Sequence, residues 1–379
     1  MRALDVEEVR ARAAGLRGDS RAAMLSAVPP PYGGVTVNVD RLLSRFHAEG
    51  LPVRLYEQTG KRDDERHIVP LSRSPLATLK LLATLSESVL HLHTNHVRAI
   101  MAVTALLRLR GRGYIVSFQS HAPMRAYNTM GPTQRALFRR TLRGALGVVA
   151  VGREIRAWVL EMGVPEGRVL WVPGFLLPSR RELAPGAVPP HVAAFVAGRS
   201  PVIGSHGAFG YLVEGIHIYS FDVLAQAIAR WARRWPQAAF YSLVSHTYDE
   251  DHRHEILQMR RELGLEDRWM LVEEPFPAAA LFRQTDIFLR PTTTDGDSVS
   301  VRECLHLGVS VVASDAVVRP EGVVIFRDRD VDDLEAKVVA LWERGEGKLA
   351  APLPQEDFAG PLVDLYRAIQ RGLDDRGSP

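Results

Sequence analysis

The chain has 379 residues, of which 46% are hydrophobic and 24% charged, with a formal net charge of +3. That length accommodates two domains with their own cores, the composition is that of an ordinary soluble globular protein, and so small a net charge gives no argument for nucleic acid as a partner. No apolar run of about 18 residues offers a membrane span, no signal segment is evident, and the single cysteine, Cys304, closes no internal disulfide, which together point to a cytoplasmic setting.

Residues 1–20 read as a helical appendage, with a charged helix over Val6–Leu16 and a Gly-Asp turn. The first core strand, Ala22–Val28, runs into Pro29-Pro30-Pro31-Tyr32-Gly33-Gly34 and then a helix-periodic stretch, Val35–Phe46. Gly33 and Gly34 permit close backbone approach, but the loop is not the GxGxxG fingerprint, so a nicotinamide dinucleotide is not expected. Further strands are expected at Pro52–Tyr56, Val89–His93, Tyr114–Phe118, Leu146–Val151 and Val169–Val172, with helices between them. This alternation argues for an α/β domain, residues 21–175, with a parallel sheet covered on both faces. His91, His93 and His96 have a spacing that could serve zinc, yet no carboxylate or cysteine nearby completes a ligand set, and no metal is expected. His121 lies just past the carboxyl end of a strand, where an α/β sheet places its chemistry; its bland reading is a solvated loop histidine. Residues 133–144 gather Arg135, Arg139, Arg140 and Arg143 on a helix with Phe138 and Leu142. Such a helix is either a solvated face or a peripheral contact with an anionic membrane surface.

The stretch 176–200, rich in Pro and Gly, reads as a linker. A second α/β domain, residues 201–355, then opens with strand Pro201–Ser205, loop 206–217 and helix Phe221–Arg234. Its later strands are expected at Ala239–Val244, Trp269–Val272, Asp286–Leu289, Val309–Ala313 and Val323–Phe326, and residues 356–379 as a closing helix. Within it, RPTTTDGDSVSVRECLHLG (290–308) sits between two strands as one βαβ unit. Asp295 in the loop and Glu303 one turn into the helix are separated by seven residues. The backbone N–H groups at Ser298, Val299 and Ser300 form a helix N-terminus suited to an anion such as a diphosphate. Ser300 and Glu303 are also spaced as a capping box, which would leave Glu303 only tying down its own helix.

This last stretch resembles the acid-seven-residues-acid signature of retaining glycosyltransferases of the GT-B fold, family 4. Gly147–Val172 is similar to the segment closing that family's N-terminal domain, and together the motifs span residues 22–330. The resemblance implies two Rossmann-like, doubly wound α/β domains facing across a cleft, with the C-terminal helix returning to the first. It implies transfer of a sugar, with retention, from a nucleotide-diphosphate sugar (UDP- or GDP-linked) to a hydroxyl of a glycan, lipid-linked acceptor or small glycoside, with no cofactor required. It also assigns roles: His121 and Asp295 to catalysis, and Gly33, Gly34, Gly207, Arg290, Asp297, Ser298, Val299, Ser300, Arg302 and Glu303 to the donor, with Glu303 on the ribose hydroxyls. Within the signature, Asp295, Asp297 and Ser298 stand where the family has Glu, an aromatic and Gly, and a larger departure lies elsewhere. Where the family carries an Arg and a Lys for the diphosphate, this chain has Phe209 and Glu214, so Arg290 and Arg302 are the replacement cations, each with a structural ion pair as its bland reading. The alternatives are a degenerate GT-B sugar- or nucleotide-binding protein and a sugar-nucleotide epimerase.

Overall fold

The computed structural model describes residues 4–30, 32–71, 74–180, 182–295, 298–349, 351–353 and 358–375. They fall into two compact units that part between Leu176 and Leu177, with the short segment Pro30–Gly34 grouping with the second and helix Gly360–Asp374 with the first. The first unit is built on β1 (Asp19–Ser26), β2 (Val53–Glu57), β3 (Ile68–Pro70), β4 (Glu87–His93), β5 (Gly113–Phe118), β6 (Gly147–Ala150) and β7 (Val169–Trp171). They form one parallel sheet in the order β3-β2-β1-β4-β5-β6-β7. The order reverses between β1 and β4, the point at which open α/β sheets leave a crevice at their strand ends. β4 and β5 are buried along their whole length, as a parallel sheet covered on both faces requires.

The N-terminal helix, Val6–Ala14, is not an appendage. Val9 and Ala13 are fully buried in the core of the first unit, against helix Gly360–Asp374, and Arg10 pairs with Asp375 at 2.7 Å. Its apolar positions recur at i and i+4, a one-residue-wide stripe that the surrounding charges mask in sequence. The closing helix buries Leu362, Val363, Leu365, Tyr366, Ile369 and Leu373 in the same core.

The second unit carries β8 (Val202–Phe209), a small hairpin of β9 (Leu212–Val213) and β10 (Ile216–His217), then β11 (Ala239–Thr247), β12 (Trp269–Val272), β13 (Ile287–Arg290), β14 (Ser310–Ser314) and β15 (Val323–Phe326). Its main sheet is parallel, in the order β12-β11-β8-β13-β14-β15, reversing between β8 and β13. Part of the proline-rich stretch is ordered here: Val188 and, on helix Pro190–Val196, Val192 and Val196 are buried in this unit's core. Cys304 is fully buried, and burial pushes its thiol well above the ordinary range, in keeping with a core residue. Among the described residues, no helix is long and apolar enough to cross a membrane.

Candidate active site

β13 ends at Arg290, at the reversal point of the second sheet, with Ala313 of β14 opposite it in register. The guanidinium of Arg290 is buried and fully engaged. Nε and Nη2 donate to the two carboxylate oxygens of Asp295 at 2.8 and 3.1 Å, and Nη1 donates to the His206 carbonyl on β8 at 2.9 Å. The Tyr219 ring lies 5.2 Å away, within cation–π range. Asp295 accepts a further bond from Nη1 of Arg319 at 3.0 Å and one from the Thr292 hydroxyl at 3.3 Å. Arg319, 3% exposed, is held by donating to the Ser314 carbonyl at 3.1 Å and to the Thr292 hydroxyl at 2.9 Å. Two guanidiniums therefore share one carboxylate, so these three side chains carry a surplus positive charge, and the Asp328 carboxylate also acts on Arg319.

The electrostatics follow from that geometry. Burial would push the Asp295 carboxyl up, but the charges and hydrogen bonds of Arg290 and then Arg319 outweigh it and hold it below the ordinary carboxylate range. Burial lowers Arg319, Arg290 adds to that, and Asp295 with Asp328 only partly restores it. Burial, reinforced by Arg290, lowers His206 to about 4, so its ring stays neutral beside the cluster. Gly207 makes the arrangement possible. A Cβ there would come within 2.9 Å of the Tyr219 side chain and 3.0 Å of Phe221, so only glycine lets Tyr219 sit over Arg290.

Helix Val299–His306 begins beside this cluster in sequence, with Ser298 as its N-cap. The Ser298 and Ser300 hydroxyls are buried and 3.2 Å apart, and Glu303 is 5% exposed. A capping box started by Ser300 is not what the backbone forms: the cap is Ser298, and three residues on stands Val301. Arg302, half-buried on the same helix, bonds through its backbone N–H to the Ser298 carbonyl at 3.3 Å. Asp297 lies outside the described residues.

In the first unit, His121 occupies the N-cap of helix Ala122–Asn128, and its Nε2 lies 3.1 Å from Glu154. Gly33 and Gly34 group with the second unit, and Gly34 opens helix Gly34–Ala48.

Residues 9–174 match the glycosyl transferase 4-like domain family. Across both units the fold is that of solved GT-B structures. HepE from Anabaena, in complex with UDP and glucose, is similar over 94% of this chain and 95% of its own, at 13% identity and a TM-score of 0.63. Sucrose-phosphate synthase from Thermosynechococcus elongatus is similar over 94% of each chain, at 14% identity and a TM-score of 0.62. Trehalose-6-phosphate synthase OtsA is similar over 94% of this chain and 96% of its own, at 14% identity and 0.62. The chain has the GT-B fold. No curated protein sequence matches it.

Within this GT-B chain, the span that departs from the family pattern has its own structure. β8 runs on to Phe209, which is fully buried with its ring 4.8 Å from Phe221. Glu214 and Gly215, at φ of 53° and 81°, then form the exposed tip of the β9–β10 hairpin. The cation that sequence reasoning overlooked is Arg319. It stands 24 residues beyond Asp295, and only the pairing of β13 with β14 brings the two together. Of the arginines on helix Pro132–Gly144, Arg139, Arg140 and Arg143 are exposed, although Arg143 also donates to the Met162 carbonyl at 3.1 Å. Arg135 donates to the Asn128 carbonyl at 2.7 Å. Among the described residues, no group of three or more His, Cys, Asp or Glu side chains is arranged to hold a metal ion.

Proposed function

We propose that this GT-B chain moves a sugar, with retention of anomeric configuration, from a nucleotide-diphosphate sugar to an acceptor hydroxyl. The observation that carries the reading is the surplus positive charge of Arg290 and Arg319 on Asp295, at the reversal point of the second sheet and next in sequence to a helix N-terminus. In the transfer, the bond from the anomeric carbon to the diphosphate breaks and one to the acceptor oxygen forms, while the acceptor's proton passes to the departing phosphate. Charge builds up on the leaving diphosphate, and a fixed cation cluster is already in place to meet it, with no reorganisation at the moment of reaction. The backbone N–H groups of Ser298–Ser300 add to that field. These guanidiniums do the work of the absent Arg/Lys pair, so the reading calls on no metal.

Asp295 has both oxygens engaged by the arginines, and we read it as the residue that positions them. Glu303 is assigned to the ribose hydroxyls and His121 to the reacting sugar. HepE structures hold UDP and UDP-glucose, which makes a UDP-linked donor the first choice. The exposed Arg139 and Arg140 fit contact with an anionic membrane surface, and the single buried cysteine fits a cytoplasmic setting.

The test is thermal stabilisation by UDP, GDP, TDP and ADP, followed by nucleotide release from the matching glucose donor. A ligand at about 100 times its dissociation constant adds roughly 2.7 kcal/mol. One diphosphate should stabilise the wild type, and Arg319→Met should lose most of that gain. Binding without turnover for any acceptor would favour the non-catalytic sugar- or nucleotide-binding reading. Acceptor-independent conversion of the donor would indicate an epimerase.

A further inference from the structure

The two histidines near the end of β4 have opposite fates. His91 and His93 lie on the same face of the strand, their rings 4.0 Å apart. His91 spends both nitrogens inside the fold, Nδ1 with the Tyr366 hydroxyl at 2.8 Å and Nε2 with the Ser117 hydroxyl at 2.7 Å. His93 is 7% exposed, and both of its ring nitrogens are buried without a hydrogen-bond partner among the described residues. Buried polar groups in native proteins are nearly always satisfied, so a doubly orphaned imidazole calls for an explanation.

The surroundings supply one. His93, at the carboxyl end of β4, lines a small crevice together with Asn38, Ser117 and Gln119. The remaining lining is aliphatic, including Leu42, Val149 and Leu362, and no charged side chain takes part. Asn38 is pinned in place by donating from Nδ2 to the Gly174 carbonyl at 2.7 Å. We propose that this crevice binds one hydroxyl group of a neutral, polyol-type acceptor, hydrogen-bonded to the ring nitrogen of His93 that faces it.

The chemistry selects that ligand class. A neutral imidazole presents a donor at one nitrogen and an acceptor at the other, and a hydroxyl, which can accept or donate, is the small group that answers whichever of them faces the crevice. A phosphate or carboxylate would be buried with no cation to compensate it. Burial keeps the His93 ring neutral by lowering it to about 3, so its role does not depend on working pH. The crevice has room for about one hydroxyl-sized group, and its aliphatic wall suits the C–H carbon that bears it. The proposal rests on the glycosyl-transfer reading only in naming the hydroxyl's owner the acceptor.

The binding test needs no donor. Protein labelled with ¹⁵N-histidine would be titrated with methyl α-glucoside, myo-inositol and glycerol, with His93→Phe used to assign the resonance. The expected result is a saturable shift of the His93 ring nitrogens with at least one neutral polyol. If all three leave those resonances unmoved at 100 mM, or if crystals soaked in them show a lone water on His93, the proposal is overturned. In turnover with a sugar nucleotide, His93→Phe should raise the acceptor KM roughly tenfold or more, with donor affinity unchanged and His93→Asn recovering part of the loss. An unchanged acceptor KM in a folded, nucleotide-binding His93→Phe variant would also refute it. If the wild type binds no nucleotide at all, the glycosyl-transfer reading fails, and the ¹⁵N titration still decides the crevice.

Discussion

Replacing Asp295 with Asn changes a buried anion into a neutral group of nearly the same shape, and the cost can be worked from its contacts. The carboxylate receives two bonds from Arg290, one from Arg319 and one from Thr292, with its side chain only 10% exposed. Removing one partner of a buried ion pair typically costs about 3–5 kcal/mol, because the remaining charge is left uncompensated. Here two guanidiniums would be left, so the upper part of that range applies. Arg319→Met removes a cation instead, and Asp295 keeps its two-pronged pairing with Arg290. The surplus charge disappears, which offsets the loss of the bonds to Asp295, Ser314 and Thr292 and leaves a cost of about 1–2 kcal/mol in all. For a domain of this size each kcal/mol moves the melting temperature by roughly 2–4 °C. Asp295→Asn should therefore melt roughly 8–20 °C below wild type and Arg319→Met no more than about 8 °C below it, as followed by circular dichroism. Inorganic pyrophosphate should restore much of the loss in Asp295→Asn, since it supplies the missing negative charge. An Asp295→Asn protein as stable as wild type, or less affected than Arg319→Met, would refute the account of a net-positive buried cluster.

Three further outcomes are expected. Burial holds His93 at about 3 and His91 well below its ordinary 6.5, so the folded state resists protonation at both. Their contribution is intact above the unfolded value of 6.5 and is lost as pH falls from there toward 3; urea midpoints at pH 7, 5 and 4 should fall less steeply for His93→Asn, by about 1.4 kcal/mol per pH unit for the proton removed. Gly207→Ala forces a Cβ to within 2.9 Å of Tyr219 and should cost about 1–3 kcal/mol in urea unfolding while weakening diphosphate binding. His121→Ala should lower kcat by about a hundredfold with the nucleotide dissociation constant unchanged; an equal loss of nucleotide affinity would place its role in binding rather than in chemistry.

Most of the fold could be read from the chain because buried parallel strands are nearly continuous apolar runs. Trp269–Val272 and Val323–Phe326 appear in the structure with the same ends that their sequence indicates. β3 was invisible: it is a three-residue edge strand, Ile68–Pro70, following the charged cluster at 61–66. The β9–β10 hairpin turns on Glu-Gly, and Glu is a poor advertisement for a two-residue turn that favours Asn or Asp before Gly. At the candidate site, the Asp295 loop and the Glu303 helix were legible as a local βαβ pattern. Arg319 was not, since its partnership with Asp295 depends on strand pairing that no local spacing encodes. The division of labour between His91 and His93 was equally hidden, because it is set by Tyr366, 275 residues away from His91.

The helix Gly360–Asp374 has a consequence for how the protein is made. It fills the core of the first unit and meets His91 through Tyr366, yet it is encoded after the whole of the second. A ribosome delivers the chain from its N-terminus, and domains generally fold as units while synthesis proceeds. The second unit, continuous from Leu177 to beyond β15, can complete its sheet as it emerges. The first must wait, its hydrophobic floor open beneath β1 and β4, until the last helix leaves the exit tunnel.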